Sequence, residues 1–334
     1  MTEATQPHVV PGLPPAARLA IDFDVERLVA DVTELRRQAW SLQRTYGAEG
    51  VIDEAPIDWR VLPLRSPGGD LDRTDPGGPA LVDFEPTAWL EKAPYLAEVL
   101  ATIPAEIRSA RLMALGPGAA SASHFDNKYG VAWGTARVHV PILTHAEARM
   151  YIADELQQWQ PGTFWFGDFS QVHRVENTGT ETRVHLVIDT LPTRELFDLL
   201  PAEVRDAVDP ADIVFSRPRQ PLAAEAADAY LASFELPESF TNWEETEGEF
   251  LQPQKQLAAA VAREGEHLVL TLDGRPEFRL VHLGDGEFRF AGWTEERTLQ
   301  VVPDGEGPRV VLRTRVGSRV QQLELAARRD PAGS

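Results

Sequence analysis

The chain has 334 residues, 43% of them hydrophobic, and carries 52 acidic against 32 basic side chains for a formal charge of −20. That length suffices for one large or two ordinary domains, while so acidic a chain with no basic stripe argues against nucleic acid and against an anionic membrane surface. No apolar run is long enough to span a bilayer, the first ten residues lack a signal-peptide pattern, and the absence of cysteine removes disulfides, zinc fingers and iron–sulfur clusters. The expected setting is therefore cytoplasmic, and any metal must rest on His, Asp and Glu.

In chain order, residues 1–15 are Pro-rich and polar and read as a disordered tail. Asp24 then stands before Val25, Leu28, Val29, Val32, Leu35, Ala39 and Leu42, a helical spacing with Asp24 as N-cap. Ser66 to Gly78 is a Gly/Pro/Asp loop, and Thr87 to Leu100 has the period of a second amphipathic helix. From about Arg108 to Asp189, short apolar runs alternate with turn residues, the signature of a β-sandwich or barrel. Residues 196–260, punctuated by Pro201, Pro210, Pro218 and Pro221, read as a helical and looped connector, with a helix over Ala223 to Ala232. Residues 261–330 read as an antiparallel β-meander, with hairpin turns at Asp273-Gly274 and Gly284-Asp285-Gly286. The organisation predicted is a mainly β domain at 16–195, the connector, and a small C-terminal β domain whose His267 and His282 are structural.

Five of the eight histidines fall between positions 124 and 185. In His124-Phe125-Asp126 the imidazole and the carboxylate are two residues apart, so on extended backbone both reach the same side. A chance His-x-Asp is common, but His173 follows beyond several predicted strands. Two His and one carboxylate on one face of an iron leave three positions open, which a bidentate co-substrate and O2 can fill. Arg183 opens the strand Arg183-Val-His-Leu-Val-Ile-Asp189, where Arg183, His185 and Val187 share a face opposite Val184, Leu186 and Ile188. An arginine on an inner face calls for an anion, although an ordinary salt bridge would also satisfy it. Arg137-Val-His139-Val-Pro-Ile142 repeats the pattern, so two strands line one polar pocket. Trp133, Phe164, Trp165 and Phe166 are divided between that pocket and core packing, and Asp168 and Asn177 suit turns.

These residues, in this order, resemble the aspartyl/asparaginyl β-hydroxylase family of Fe(II)/2-oxoglutarate-dependent dioxygenases. The resemblance rests on Arg111-Leu-Met-Ala-Leu115-Gly-Pro-Gly118, His124, Arg137-Val-His139-Val-Pro141, Trp159-Gln-Pro-Gly162, Phe166-Gly-Asp168-Phe-Ser-Gln-Val-His173, Asn177 and the strand from Arg183 to Asp189. Bacterial proline hydroxylases are similar in the same region. The resemblance implies a double-stranded β-helix, a jelly-roll or cupin-like core. It also implies His124 and His173 as iron ligands with Asp126 completing the triad, Arg183 and His139 as 2-oxoglutarate contacts, and Arg137 as a contact to the substrate's carboxylate. Two departures stand out: the segment from His124 to Arg137 is longer than in the animal enzymes, and Thr135 occupies a position where a second substrate arginine often sits.

The implied cofactor set is Fe(II), 2-oxoglutarate and O2, and the implied reaction is hydroxylation of an unactivated C–H. Three functions remain open on the sequence. The first is β-hydroxylation of Asp or Asn in a peptide or peptide natural-product precursor, the second hydroxylation of a free amino acid such as proline. The third is a non-catalytic β-sandwich binding protein, which would show no 2-oxoglutarate-dependent absorption with Fe(II).

Overall fold

A computed structural model of the chain describes residues 8–47, 50–54, 57–245, 247–303 and 307–329. It divides into two compact units, one of residues 1–77 and 84–215, the other of residues 78–83 and 216–334. The first unit holds, in chain order, β1 (Ala16–Asp22), α1 (Val25–Leu35), β2 (Ser41–Leu42), β3 (Arg44–Gly47), β4 (Gly50–Glu54), β5 (Trp59–Pro67) and β6 (Phe84–Pro86). It continues with α2 (Pro94–Thr102), β7 (Glu106–Leu115), β8 (Ala136–Leu143), β9 (Ala148–Ile152), β10 (Glu155–Gln157), β11 (Thr163–Gly167), β12 (His173–Asn177) and β13 (Arg183–Leu191).

Two antiparallel sheets make the jelly roll. The larger runs β1-β11-β8-β13-β7-β5-β2, with β6 beside β5; the smaller runs β10-β9-β12. In β13 every residue is buried, so both faces of this strand are covered and its alternation has a chemical meaning. Val184, Leu186 and Ile188, with Val138, Val140 and Ile142 of β8, form the outer apolar layer of the sheet. Helices α1 and α2 add Leu28, Val32, Leu35, Leu96, Val99 and Leu100 to the core. The inner face carries the polar set. Cross-strand pairing sets Val187 beside His139 and Arg111, Asp189 beside Arg137, and His185 beside Met113.

The smaller sheet is widened by the segment leading to the first metal-type histidine. Ala120 bridges Glu176 and His124 bridges His173, and Ser121 N–H donates to the Val175 carbonyl at 2.8 Å. The segment thus runs beside β12, held there by isolated bridges rather than a continuous ladder. The interior cluster between them comprises Leu115, Ala119, Met150, Ile152, Trp159, Phe169 and Val175.

The second unit is a closed barrel of β14 (Ala232–Pro237), β15 (Gln256–Glu264), β16 (His267–Leu272), β17 (Arg275–Gly284), β18 (Glu287–Phe290), β19 (Arg297–Val302), β20 (Arg309–Val316) and β21 (Arg319–Arg329). Closure is made by β14, which pairs with β15 on one side and β21 on the other. Side chains fill it: Phe240, Phe250, Phe288, Phe290, Leu299 and Leu312 are all at or below 1% exposure, leaving a packed core. Asp273 and Gly274 both have positive φ, 47° and 77°, as the hairpin reading requires.

Several expectations change. The tail predicted over 1–15 is packed where it is described: Val10 and Leu13 are buried, because β1 follows directly and draws them onto the core. Residues 1–7 lie outside the described residues. The first helix ends at Leu35 rather than running on to Leu42, since Leu42 turns into a strand on β5. Asp24 does cap it, accepting from Arg27 N–H at 3.1 Å. The second helix starts at Pro94, which fits N1 but not a helix interior. Within the stretch read as connector, β14 and much of β15 are barrel strands. The helix expected over Ala223 to Ala232 is short, Ala224–Ala227.

Candidate metal centre and anion pocket

His124, Asp126 and His173 converge. One ligand atom from each lies within 4.8 Å of the others. His173 Nε2 is 3.9 Å and His124 Nε2 3.6 Å from Asp126 Oδ1. The backbone explains the meeting: His124 and His173 exchange N–H···O=C bonds of 3.1 and 2.7 Å, and Asp126 N–H donates to the Phe169 carbonyl at 2.9 Å. The other ring nitrogen of each histidine is already used. His124 Nδ1 meets the Ala122 carbonyl and His173 Nδ1 the Gln171 carbonyl, each at 2.9 Å. A carbonyl only accepts, so Nδ1 carries the proton and Nε2 keeps its lone pair, the tautomer a metal requires. Burial opposes the charge on Asp126, but Arg137, His173 and His124 outweigh it and hold the carboxyl below its ordinary range. Two aligned imidazole lone pairs and an ionised oxygen fit Fe(II).

Behind the triad lies a buried ion network. Arg137 Nε donates to Asp189 Oδ1 at 2.6 Å and Nη2 to Oδ2 at 3.3 Å, while Nη1 donates to Asp126 Oδ2. Asp189 also accepts from Ser109 Oγ at 2.8 Å and Arg111 Nη2 at 3.2 Å. Burial works against the Asp189 charge, yet Arg137 and Arg111 hold its carboxyl well below the usual range.

Arg183 is the opposite case. It is 4% exposed, and among the described residues no carboxylate pairs with it. Burial alone pushes its pKa down to about 9, still a cation at neutral pH. Its Nη2 donates to His185 Nδ1 at 2.7 Å. A guanidinium cannot accept, so the neutral His185 must carry its proton on Nε2. That Nε2–H and the indole N–H of Trp159 are both buried and without a hydrogen-bond partner. Arg183, His185 and Trp159 together line a cavity of about 190 Å³ bordered by Met150, Gln157 and Thr144. The unpartnered donors of His185 and Trp159 beside the Arg183 guanidinium suit an anion, and a carboxylate of 2-oxoglutarate fits there.

Ring contacts join pocket to triad. His139 Nδ1 is 3.4 Å from His185 Nδ1, its ring stacks on Phe169 at 5.0 Å, and Phe169 meets His173 edge-on at 4.9 Å. Burial, with Arg183 adding to it, drives the pKa of both His139 and His185 well below the ordinary value. Gly167 permits this arrangement, since a Cβ there would stand 2.6 Å from the Phe169 ring.

The structure therefore brings together His124, Asp126 and His173, and separately Arg183 with His139. Arg137, expected to meet the substrate's carboxylate, is hydrogen-bonded to Asp189 and Asp126. Trp165 lies on the interior side, stacked on Trp159 at 5.4 Å, whereas Phe164 and Phe166 face the outer core. Asp168 accepts from Ser170 and Gln171 in the turn before His173, and Asn177 ties Leu115 to Glu181. Sequence reasoning passed over Asp189, Arg111 and Phe169. Asp189 was within reach, since the period-two pattern from Arg183 puts it on the inner face.

A jelly roll with a His-Asp-His triad and a buried cationic pocket defines a non-haem iron, 2-oxoglutarate-dependent oxygenase using Fe(II), 2-oxoglutarate and O2. Residues 20–192 match the family model described as aspartyl/asparaginyl β-hydroxylase, and the chain belongs to that family. No curated protein matches it. Among solved structures it is similar to an oxidoreductase of the 2OG-Fe(II) oxygenase family from Burkholderia pseudomallei, at 12% identity over 51% of this chain and 80% of that one, with a TM-score of 0.36. It is also similar to a prolyl hydroxylase from Trichoplax adhaerens in complex with a hypoxia inducible factor peptide fragment, at 12% identity over 52% of this chain and 80% of that one, with a TM-score of 0.34.

Proposed function

We propose that the chain hydroxylates an unactivated C–H of an amino-acid residue, the β-carbon of Asp or Asn in a peptide or a peptide natural-product precursor. The observation that carries the reading is Arg183, a buried cation with no carboxylate partner among the described residues, in a cavity shared with the unpartnered donors of His185 and Trp159 and joined through His139 and Phe169 to the triad. The family match supports the aspartyl or asparaginyl choice.

In this reading His124 and His173 hold Fe(II) through Nε2 and Asp126 holds it through one oxygen. The carbonyls of Ala122 and Gln171 fix the two rings. Arg183, with His185 and Trp159, grips the distal carboxylate of 2-oxoglutarate, and His139 contacts it from the adjoining strand. Trp159, Trp165 and Phe169 form an apolar wall that keeps bulk water from the reacting carbon. Iron and 2-oxoglutarate, when bound, would supply the oxidising power for C–H hydroxylation by O2, with succinate and CO2 as co-products.

The test combines the protein with Fe(II), 2-oxoglutarate and a panel of peptides and free amino acids, read by mass spectrometry and succinate release. One added oxygen on a peptide Asp or Asn, matched by succinate, is expected. Modification of a free amino acid alone would overturn the peptide assignment. Succinate release unaffected by His173→Ala would overturn the site.

A further inference from the structure

Three of the five N–H donors of Arg137 are already given to carboxylates. All three of its nitrogens are engaged, Nε and Nη2 by Asp189 and Nη1 by Asp126 Oδ2. Its guanidinium lies 4.5 Å from the Tyr129 ring centre and 5.2 Å from that of Phe169, so aromatic faces also fix its plane. Asp189, fully buried, is anchored independently by Ser109 and Arg111. The Asp126 oxygen that Arg137 does not hold, Oδ1, is the one near both histidine Nε2 atoms.

From this geometry we infer that Arg137 is a positioning residue: braced by Asp189, it holds one oxygen of Asp126 so that the other alone faces the metal position. The inference rests on the metal-site reading above. Asp126 comes from a segment outside regular secondary structure, and a carboxylate on such a segment can rotate to offer either or both oxygens. A forked donor on rigid β8, fixed to a buried anion on β13, removes that freedom. Lysine keeps the charge but presents one ammonium, which cannot bridge both carboxylates in the same plane.

Cobalt(II), which absorbs in the visible and needs neither O2 nor substrate, reads this directly. Binding is titrated to the wild-type protein, His173→Ala, Arg137→Lys, and the double variant Arg137→Met with Asp189→Asn, which removes both charges of that pair and leaves Arg111 hydrogen-bonded to the Thr74 carbonyl. Both Arg137 variants are expected to bind about 10- to 100-fold more weakly, the usual effect of removing an outer partner of a metal ligand, with an altered visible spectrum. Stabilisation of the double variant by 2-oxoglutarate in a thermal melt shows that it is folded. Wild-type affinity and spectrum in the double variant would overturn the inference. So would wild-type binding by Arg137→Lys, which would make charge rather than position decisive, or tighter binding by either. Wild-type cobalt binding no stronger than that of His173→Ala would instead overturn the metal site itself.

Discussion

Arg183 is an unusual residue to keep in a protein interior, and its isolation has a thermodynamic sign. Removing a buried charge that has no opposite partner relieves desolvation, so Arg183→Met is expected to stabilise the ligand-free protein by about 1–4 kcal/mol in urea denaturation. The same change should weaken 2-oxoglutarate by roughly 100-fold, the loss of about 3 kcal/mol of charge-assisted hydrogen bonding, measured by calorimetric titration. A destabilised, tightly binding variant would mean that Arg183 is structural. Its place on the inner face was legible because Arg183, His185 and Val187 alternate with Val184, Leu186 and Ile188. The role of Arg137 was not, although the same alternation put it on the same face. Which anion an inner arginine meets depends on strand order, and only the pairing of β8 with β13 sets Asp189 beside it.

At the level of elements, the strands were readable from their runs and the sheet order was not. Register decided the chemistry: Arg111 and Asp189, 78 residues apart, meet because β7 and β13 pair. The hairpin joining β9 to β10 shows what local pattern misses. Ala153 and Asp154 both have positive φ, 52° and 62°, without a glycine between them. Residues with a Cβ are strained there, so Ala153→Gly should stabilise the protein by about 1 kcal/mol in chemical denaturation, and no change would show the strain to be relaxed. Asp126 was legible for a related reason in reverse: its motif was clear, but the segment pairs with β12 only through isolated bridges, which no strand propensity announces.

For the whole molecule, the C-terminal β region was recognisable from its hairpins, yet its closure was not, because Pro237 and the irregular stretch to Lys255 separate β14 from β15. A truncation must respect that closure. Ending the chain after Pro237 would leave β14 with both edges unpaired, an aggregation hazard. Ending it after Phe215 removes all of β14 to β21 together, and that protein is expected to retain cobalt binding while losing activity on long peptides selectively; unchanged peptide kinetics would discount a role for the barrel in substrate capture. The barrel also carries its own acid sensitivity. Burial works against the Glu287 charge, but hydrogen bonds from Arg217, Thr298 and Arg315 bring its pKa down from 4.5 to about 2. The stabilisation is complete above about pH 4.5 and lost as the pH falls through about 2, at most about 3 kcal/mol. Thermal melts between those values should slope less steeply for Glu287→Gln than for the native chain, whose other depressed carboxyls, Asp126 and Asp189, titrate in both.

The pairing of Ala232 with Arg329 has a consequence for synthesis. During translation β14 leaves the ribosome long before the strand that must lie against it, and until β21 arrives one edge of the unfinished sheet stays open. Everything that holds iron and keto acid has by then already emerged. Nascent chains should therefore acquire protease resistance in two stages, the catalytic half first, and the interval between them is when a chaperone would be most needed.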